Sequence, residues 1–193
     1  PLSIGSYVWQ DTDGDGVQEA GEPAIPNATV ALFVDNGAGT FIPATDISGL
    51  AVANITTGAN GLYQFTNLPA GDYRVRVTPP AGFVPTLVQD TVANSDTTPA
   101  DELDSNIAAT PAPGVFESAT FTLSTLGEPI ESDTAAGDNQ DGNGTPADRN
   151  GNMTVDFGFI APLSLGSFIF NDADGDGVQD PAETGVNLSL IHI

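Results

Sequence analysis

Asp11, Asp13 and Asp15 stand at alternate positions and are followed at once by Gly16 and Val17, with Glu22 closing a stretch that starts at Asp11. Counted as a loop of twelve, the acids occupy positions one, three, five and twelve. Gly16 is at position six, where the chain must turn sharply without a Cβ. Val17 is at position seven, where only its carbonyl can ligate. A set of hard oxygen donors at that spacing, ending in a glutamate able to bind through both oxygens, is the ligand pattern of an EF-hand-type loop and suits an ion of calcium size. Asp and Gly are also common in ordinary acidic turns. The pattern, however, recurs in register as Asp172, Asp174, Asp176, Gly177, Val178 and Glu183. A turn composition repeated by chance would not keep every ligand position.

These loops must be held by something, and the repetition shows what. Residues 1–25 align without a gap on residues 162–186, a period of one domain length, with conservative changes such as Tyr7 to Phe168 and Trp9 to Phe170. We therefore divide the chain into a repeat at 1–161 and the incomplete beginning of a second copy at 162–193. The start at Pro1, inside a strand-like segment, reads as that of a processed or partial product. Inside the first repeat the signals are β. Short β-branched and aromatic runs cover 4–9, 28–34, 50–57, 62–65, 118–124 and 153–160. Asn60-Gly61 predicts a hairpin turn. Tyr73, Val75 and Val77 alternate with Arg74 and Arg76, the period-two pattern of a strand with one core face. Pro79, Pro80 and Pro85 are expected to end this strand region. Residues 86–115 read as a long polar stretch without regular structure, either disordered or tied down by ions. No helical period stands out. Many short strands with Gly/Pro turns predict an all-β sandwich.

Composition narrows the function. The chain of 193 residues carries 26 acids against three bases, a net charge of −23, and has no lysine and no cysteine. Such a surface repels nucleic acid and anionic membranes and attracts divalent cations. Disulfides, thiolate metal sites and cysteine nucleophiles are excluded. No run of about 18 apolar residues is present for a membrane-spanning helix. The single histidine, His192, lies near the end of the chain, so a histidine general base or zinc site is not expected. The paired carboxylates fall in cation loops rather than across a cleft, which argues against a glycosidase and against an enzyme generally.

Two ordered segments carry a family resemblance. One runs from Ser6 through the cation loop to Glu22-Pro-Ala-Ile-Pro26; the other is Thr57-Gly-Ala-Asn-Gly-Leu-Tyr-Gln-Phe-Thr-Asn-Leu-Pro-Ala-Gly-Asp-Tyr-Arg-Val75. With Asp104-Ser-Asn106 and Thr154-Val-Asp-Phe-Gly-Phe159, they resemble the calcium-binding B repeats of serine–aspartate-repeat bacterial surface proteins, the SdrD B-like type, which are related to collagen-adhesin B-type modules. The resemblance implies an immunoglobulin-like (CnaB/prealbumin-like) β-sandwich with long calcium-stabilised loops, secreted to the cell surface. It also points to a second Ca2+ cluster of Asp101, Asp104, Asn106 and Asp156. The family usually reads Asp-Ser-Asp where this chain has Asn106, which reduces the charge of that cluster. The acidic stretch 133–148 departs from the pattern, and within it Asp138, Asp141, Asn143 and Asp148 form a third candidate. A lysine–asparagine crosslink, known in related modules, is chemically impossible without lysine.

The expected function is structural: an extracellular repeat rigidified by calcium and stacked end to end with copies of itself, in tandem or in a head-to-tail filament. The short joint Ile160-Ala-Pro-Leu163 suits a stiff array. The segment 162–193 is expected to be ordered by meeting a β-sandwich, through Phe168, Ile169 and Phe170. The alternatives are an adhesin-type binding module for a host protein or glycan and an accessory domain of a secreted enzyme. Trp9 is expected in a core or interface rather than as a sugar platform. Asn27, Asn54, Asn143, Asn152 and Asn187 each begin an Asn-X-Ser/Thr sequon, candidate attachment points for glycans.

Overall fold

The computed structural model describes residues 1–86, 104–128, 150–161, 169, 171–178 and 181–185. The chain divides into two compact units, Pro1–Pro162 and Leu163–Ile193. Among the described residues no helix occurs.

The first unit is a two-sheet sandwich. Its strands are β1 (Leu2–Gln10), β2 (Thr29–Asp35), β3 (Phe41–Pro43), β4 (Ile55–Thr56), β5 (Leu62–Leu68), β6 (Gly71–Thr78), β7 (Val84–Pro85), β8 (Ile107–Ala112), β9 (Val115–Ser118), β10 (Phe121–Leu123), β11 (Gly151–Asn152) and β12 (Phe157–Ile160). One sheet has the order β11-β1-β12-β7, with β5 also paired to β1. The other has the order β3-β2-β6-β9-β8, with β10 joined to β6 and β4 to β2. β1 runs parallel to β12, Val8 opposite Phe157 and Gln10 opposite Phe159. It is antiparallel to β5 on its other side.

Inward residues of both sheets form one core. Ile4, Val8, Tyr63, Phe65, Phe157 and Phe159 come from the first sheet, and Val30, Leu32, Tyr73, Val75, Val77, Phe116 and Leu123 from the second. Phe116 meets Phe159 edge-to-face across the sheets at 5.2 Å between ring centroids. Each fully buried large apolar side chain contributes about 1.5–3 kcal/mol. The alternation of β6 is realised as written: Tyr73, Val75 and Val77 are buried. Arg74 and Arg76 lie on the other face over the Phe41 and Phe33 rings, both ion-paired to Glu117. Trp9 is fully buried, a core residue.

Four expectations need correction. Of 50–57, only Ile55–Thr56 is a strand. The Asn60-Gly61 turn exists, with Gly61 at φ +71, but it does not make a hairpin. It links β4, which pairs with β2, to β5, which pairs with β1, so the chain changes sheets there. Gly61 is needed, since a Cβ would lie 2.5 Å from the Val8 carbonyl oxygen. Pro85 does not lie beyond the strands. It sits in β7 opposite Phe159, at the edge of its sheet, where a missing N–H is tolerated. The stretch 86–115 is not free of structure, because β8 occupies Ile107–Ala112. This edge strand has exposed Ala, Thr and Pro in place of apolar alternation, and so gives no periodic signal.

In the second unit the described residues comprise Ile169, which is exposed, and most of the loop 171–185. Phe168 and Phe170 lie outside the described residues.

Candidate metal centre

The first cation loop leaves the end of β1 and is closed by backbone bonds on both flanks. The Gln10 amide donates to the Pro23 carbonyl at 2.7 Å and the Ile25 amide to the Val8 carbonyl at 2.9 Å. Asp11 is the buried root of the loop. Its Oδ1 accepts the Gly14 amide at 2.6 Å and its Oδ2 the Gly16 amide at 2.8 Å. Both glycines have left-handed φ, +83° and +86°, a conformation in which a Cβ is strained. Asp13 accepts from the Asp15 amide, Asp15 from the Val17 amide, and Glu22 from the Thr12 and Glu19 amides. Each carboxylate is thereby aimed by the backbone that carries its neighbours.

Oxygens of Asp11, Asp13 and Asp15 lie within 4.8 Å of one another, and so do those of Asp13, Glu19 and Glu22. That limit is about twice a calcium–oxygen bond, so each set fits around one ion of that size, and the donors are all hard oxygen. Glu19 was not singled out from the sequence. It is position nine of the twelve, a known ligand position, and that count could have found it. Partial desolvation, then the carboxylates of Asp15, Asp13, Glu22 and Asp11, push the Glu19 carboxyl above its ordinary range, a sign of uncompensated negative charge. At Asp11 burial opposes the charge. The Thr86 hydroxyl and the amides of Gly14, Gly16 and Asp13 outweigh it and hold the carboxyl below the ordinary range.

The second loop repeats this geometry. Asn171 donates to the Thr184 carbonyl, Ala173 to Glu183, Gly175 and Gly177 to the two oxygens of Asp172, Asp176 to Asp174 and Val178 to Asp176. Gly175 and Gly177 have φ of +76° and +78°. Oxygens of Asp172, Asp174 and Glu183 share a 4.8 Å cluster. Asp180, at position nine, lies outside the described residues.

Of the second candidate cluster, Asp104, Asn106 and Asp156 are brought together and all are buried. Asn106 donates through its amide group to Asp104 Oδ1 at 3.1 Å. Its own Oδ1 accepts the Asp156 amide at 2.6 Å, while Asp156 Oδ1 accepts the Tyr7 amide at 3.0 Å. Burial, Glu22 and Asp156 together raise the Tyr7 hydroxyl pKa, so this ring feels the charge of both clusters. A β-bridge pairs Val17 of the loop with Asp104, so the two clusters share backbone. Asp101 lies outside the described residues, as do Asp138, Asp141, Asn143 and Asp148. Among the sequons, Asn27 and Asn54 are exposed and Asn152 is fully buried; Asn143 and Asn187 are not among the described residues.

The two sheets packed over one core, with an acidic twelve-residue loop at the end of β1, place the first unit among all-β, immunoglobulin-like sandwiches. The family profile of the SdrD B-like domain matches residues 2–117, and the chain belongs to that family. Serine-aspartate repeat-containing protein E of Staphylococcus aureus (strain USA300) is 32% identical over 186 residues, 95% of this chain and 12% of that protein. Bone sialoprotein-binding protein of Staphylococcus aureus (strain MRSA252) is 31% identical over the same length, again 12% of the relative. The chain thus spans about an eighth of the length of these relatives. The family and these relatives put it at the cell surface, outside the cell.

Proposed function

We propose that the chain is a structural spacer of a surface protein, a β-sandwich repeat rigidified by calcium and stacked end to end with copies of itself in a stalk or filament. The observation that carries this reading is the recurrence of one carboxylate loop at Asp11–Glu22 and again at Asp172–Glu183, with the same amides bonding its first, third, fifth and twelfth residues. An ion bound in each cage ties several acids to one point. It relieves part of the repulsion in a chain of net charge −23 and stabilises the folded loop by linkage. The second cluster at Asp104, Asn106 and Asp156 gives a further place for an ion beside the first. The short joint before the second loop favours a stiff array. No part of this role requires catalysis.

The test is calorimetry of the chain with calcium and with magnesium, joined to electron microscopy of the native surface protein. Calcium uptake tighter than magnesium uptake, and rods with a spacing of one repeat, are expected. Equal or tighter magnesium binding would sink the calcium assignment, and flexible beads would sink the stacking. A second reading, a binding module for a host protein, is favoured by one relative, which is named bone sialoprotein-binding protein. It predicts capture of that ligand by this chain alone.

A further inference from the structure

We infer that Thr86 is a positioning residue of the first cation loop, acting on the ion through Asp11; the inference rests on the calcium reading above. Thr86 lies 75 positions from Asp11 along the chain, outside both acidic segments, yet its hydroxyl donates to Asp11 Oδ2 in the interior. The placement is built rather than incidental. The Thr86 amide donates to the Gly158 carbonyl at 3.2 Å, extending the ladder in which Val84 and Pro85 pair with Ile160 and Phe159. Asp11 is tied to the same strand, its amide donating to the Phe159 carbonyl at 2.9 Å. Adjacent residues of β12 therefore fix both partners of the hydroxyl–carboxylate bond. Gly158 makes the room. A Cβ there would come within 2.7 Å of the Thr86 methyl and 2.6 Å of the Trp9 ring.

The bond has a chemical consequence. A carboxylate offers about two acceptor directions on each oxygen. Oδ2 of Asp11 serves the Gly16 amide and the Thr86 hydroxyl, whereas Oδ1 serves the Gly14 amide. Oδ2 thus carries two protein donors, one from within the loop and one from beyond it. Thr86 holds the Asp11 carboxylate from outside the loop and prevents it from rotating away. It is a positioning residue because it bonds the ligand and not the ion.

The experiment uses the full chain and terbium as the probe, with luminescence excited through Trp9, the only tryptophan, which lies two residues before Asp11. Calcium then displaces the terbium. Thr86→Val keeps the shape and removes the hydroxyl; Thr86→Ser keeps the hydroxyl. Loss of one hydrogen bond to a charged ligand predicts roughly tenfold weaker calcium displacement for Thr86→Val. Thr86→Ser should stay within about twofold of the parent, since it retains that bond. Equal calcium affinity in Thr86→Val and parent overturns the inference. So does an equal loss in both variants with equal loss of melting temperature in chelator, which would mean packing alone. If the parent itself shows no Trp9-sensitised terbium signal that calcium displaces, the calcium reading fails first, a result distinct from parent binding with an unaffected valine variant.

Discussion

The loops at Asp11–Glu22 and Asp172–Glu183 share most of their internal hydrogen bonds and have the same left-handed glycines, but the described residues around them differ. Asp11 is buried, with its amide on β12 and its carboxylate under Thr86. Asp172 is exposed, and the Thr86 hydroxyl has no counterpart for it among the described residues. The cage geometry is therefore local, written in twelve residues. The coupling of the cage to a folded core is not local: it needs β7 and β12, which arrive much later in the chain. An ion in the first loop should stabilise the sandwich of the first unit, whereas the second loop belongs to the other compact unit and is not expected to move that sandwich's transition.

The largest expected effect follows from that difference. At a calcium level about 100–1,000 times the dissociation constant, binding to the folded state adds roughly 3–4 kcal/mol. Chelation should then lower the melting temperature of the sandwich by about 10 °C, given a unit of this size. Calorimetric scans with and without chelator measure it. An unchanged transition would mean that neither loop is coupled to the core.

Next in size is the paired substitution Asp11→Asn against Asp172→Asn. The first puts an amide group among N–H and O–H donors in the interior and should cost about 2–3 kcal/mol from lost charge-assisted bonds. In melting temperature this is roughly 5–10 °C. The second should leave the sandwich transition where it is. Equal shifts would erase the contrast between the loops.

That contrast also marks what could be read from the sequence. Residue types and spacing marked the acidic loops whose carboxylates the fold gathers, because those carboxylates and their aiming amides lie within one short segment. The alternation of Tyr73, Val75 and Val77 with Arg74 and Arg76 was enough for β6, because one strand face is apolar and the other is not. Thr86 carried no signal, and Gly158 stood out only as part of a family motif, since their contact exists only when β7 pairs with β12. The Asn60-Gly61 turn was visible, but the sheets it joins were not, because turn chemistry is local and strand partnership is not. β8 was hidden because an edge strand of Ala, Thr and Pro buries little and needs no apolar period.

Acid gives a smaller, signed test. The amides of Gly177, Gly175 and Asp176 and the side chain of Asp174 hold the Asp172 carboxyl below its ordinary range against slight desolvation. Asp11 is lowered too, by Thr86 and loop amides against the penalty of burial. A carboxyl whose folded-state value is depressed adds stability above its unfolded value, roughly pH 4, and loses it as the pH falls through the folded value. In chelator the sandwich should therefore lose stability below about pH 4 as Asp11 takes up its proton. Thr86→Val removes one of the bonds that depress the Asp11 carboxyl and should therefore shrink this acid-dependent loss. Protonation of Asp172 should be visible in a carboxyl NMR titration without moving the melting transition. A sandwich transition that follows Asp172 instead would reverse the assignment of which loop supports the core.

The smallest effect sharpens the comparison at one backbone position. Gly16 and Gly177 are the sixth residues of their loops and have nearly the same left-handed φ, +86° and +78°. Alanine there costs about 1 kcal/mol in either loop, because an L side chain resists that conformation whatever surrounds it. The cost should appear in different observables. In the first loop, the Gly16 amide holds the buried Asp11 carboxylate, so strain at this residue reaches the core. Gly16→Ala should lower the melting temperature of the sandwich by roughly 2–4 °C. In the second loop the Gly177 amide holds an exposed carboxylate, and the same strain should be relieved locally. Gly177→Ala should leave the melting temperature unchanged while weakening calcium binding at that loop by a factor of about five, the equivalent of 1 kcal/mol. Calorimetric melting and calcium titration of the two variants separate the cases. If Gly177→Ala moves the sandwich transition as far as Gly16→Ala does, the second loop has a structural foundation of its own, and buried support is not what distinguishes the pair.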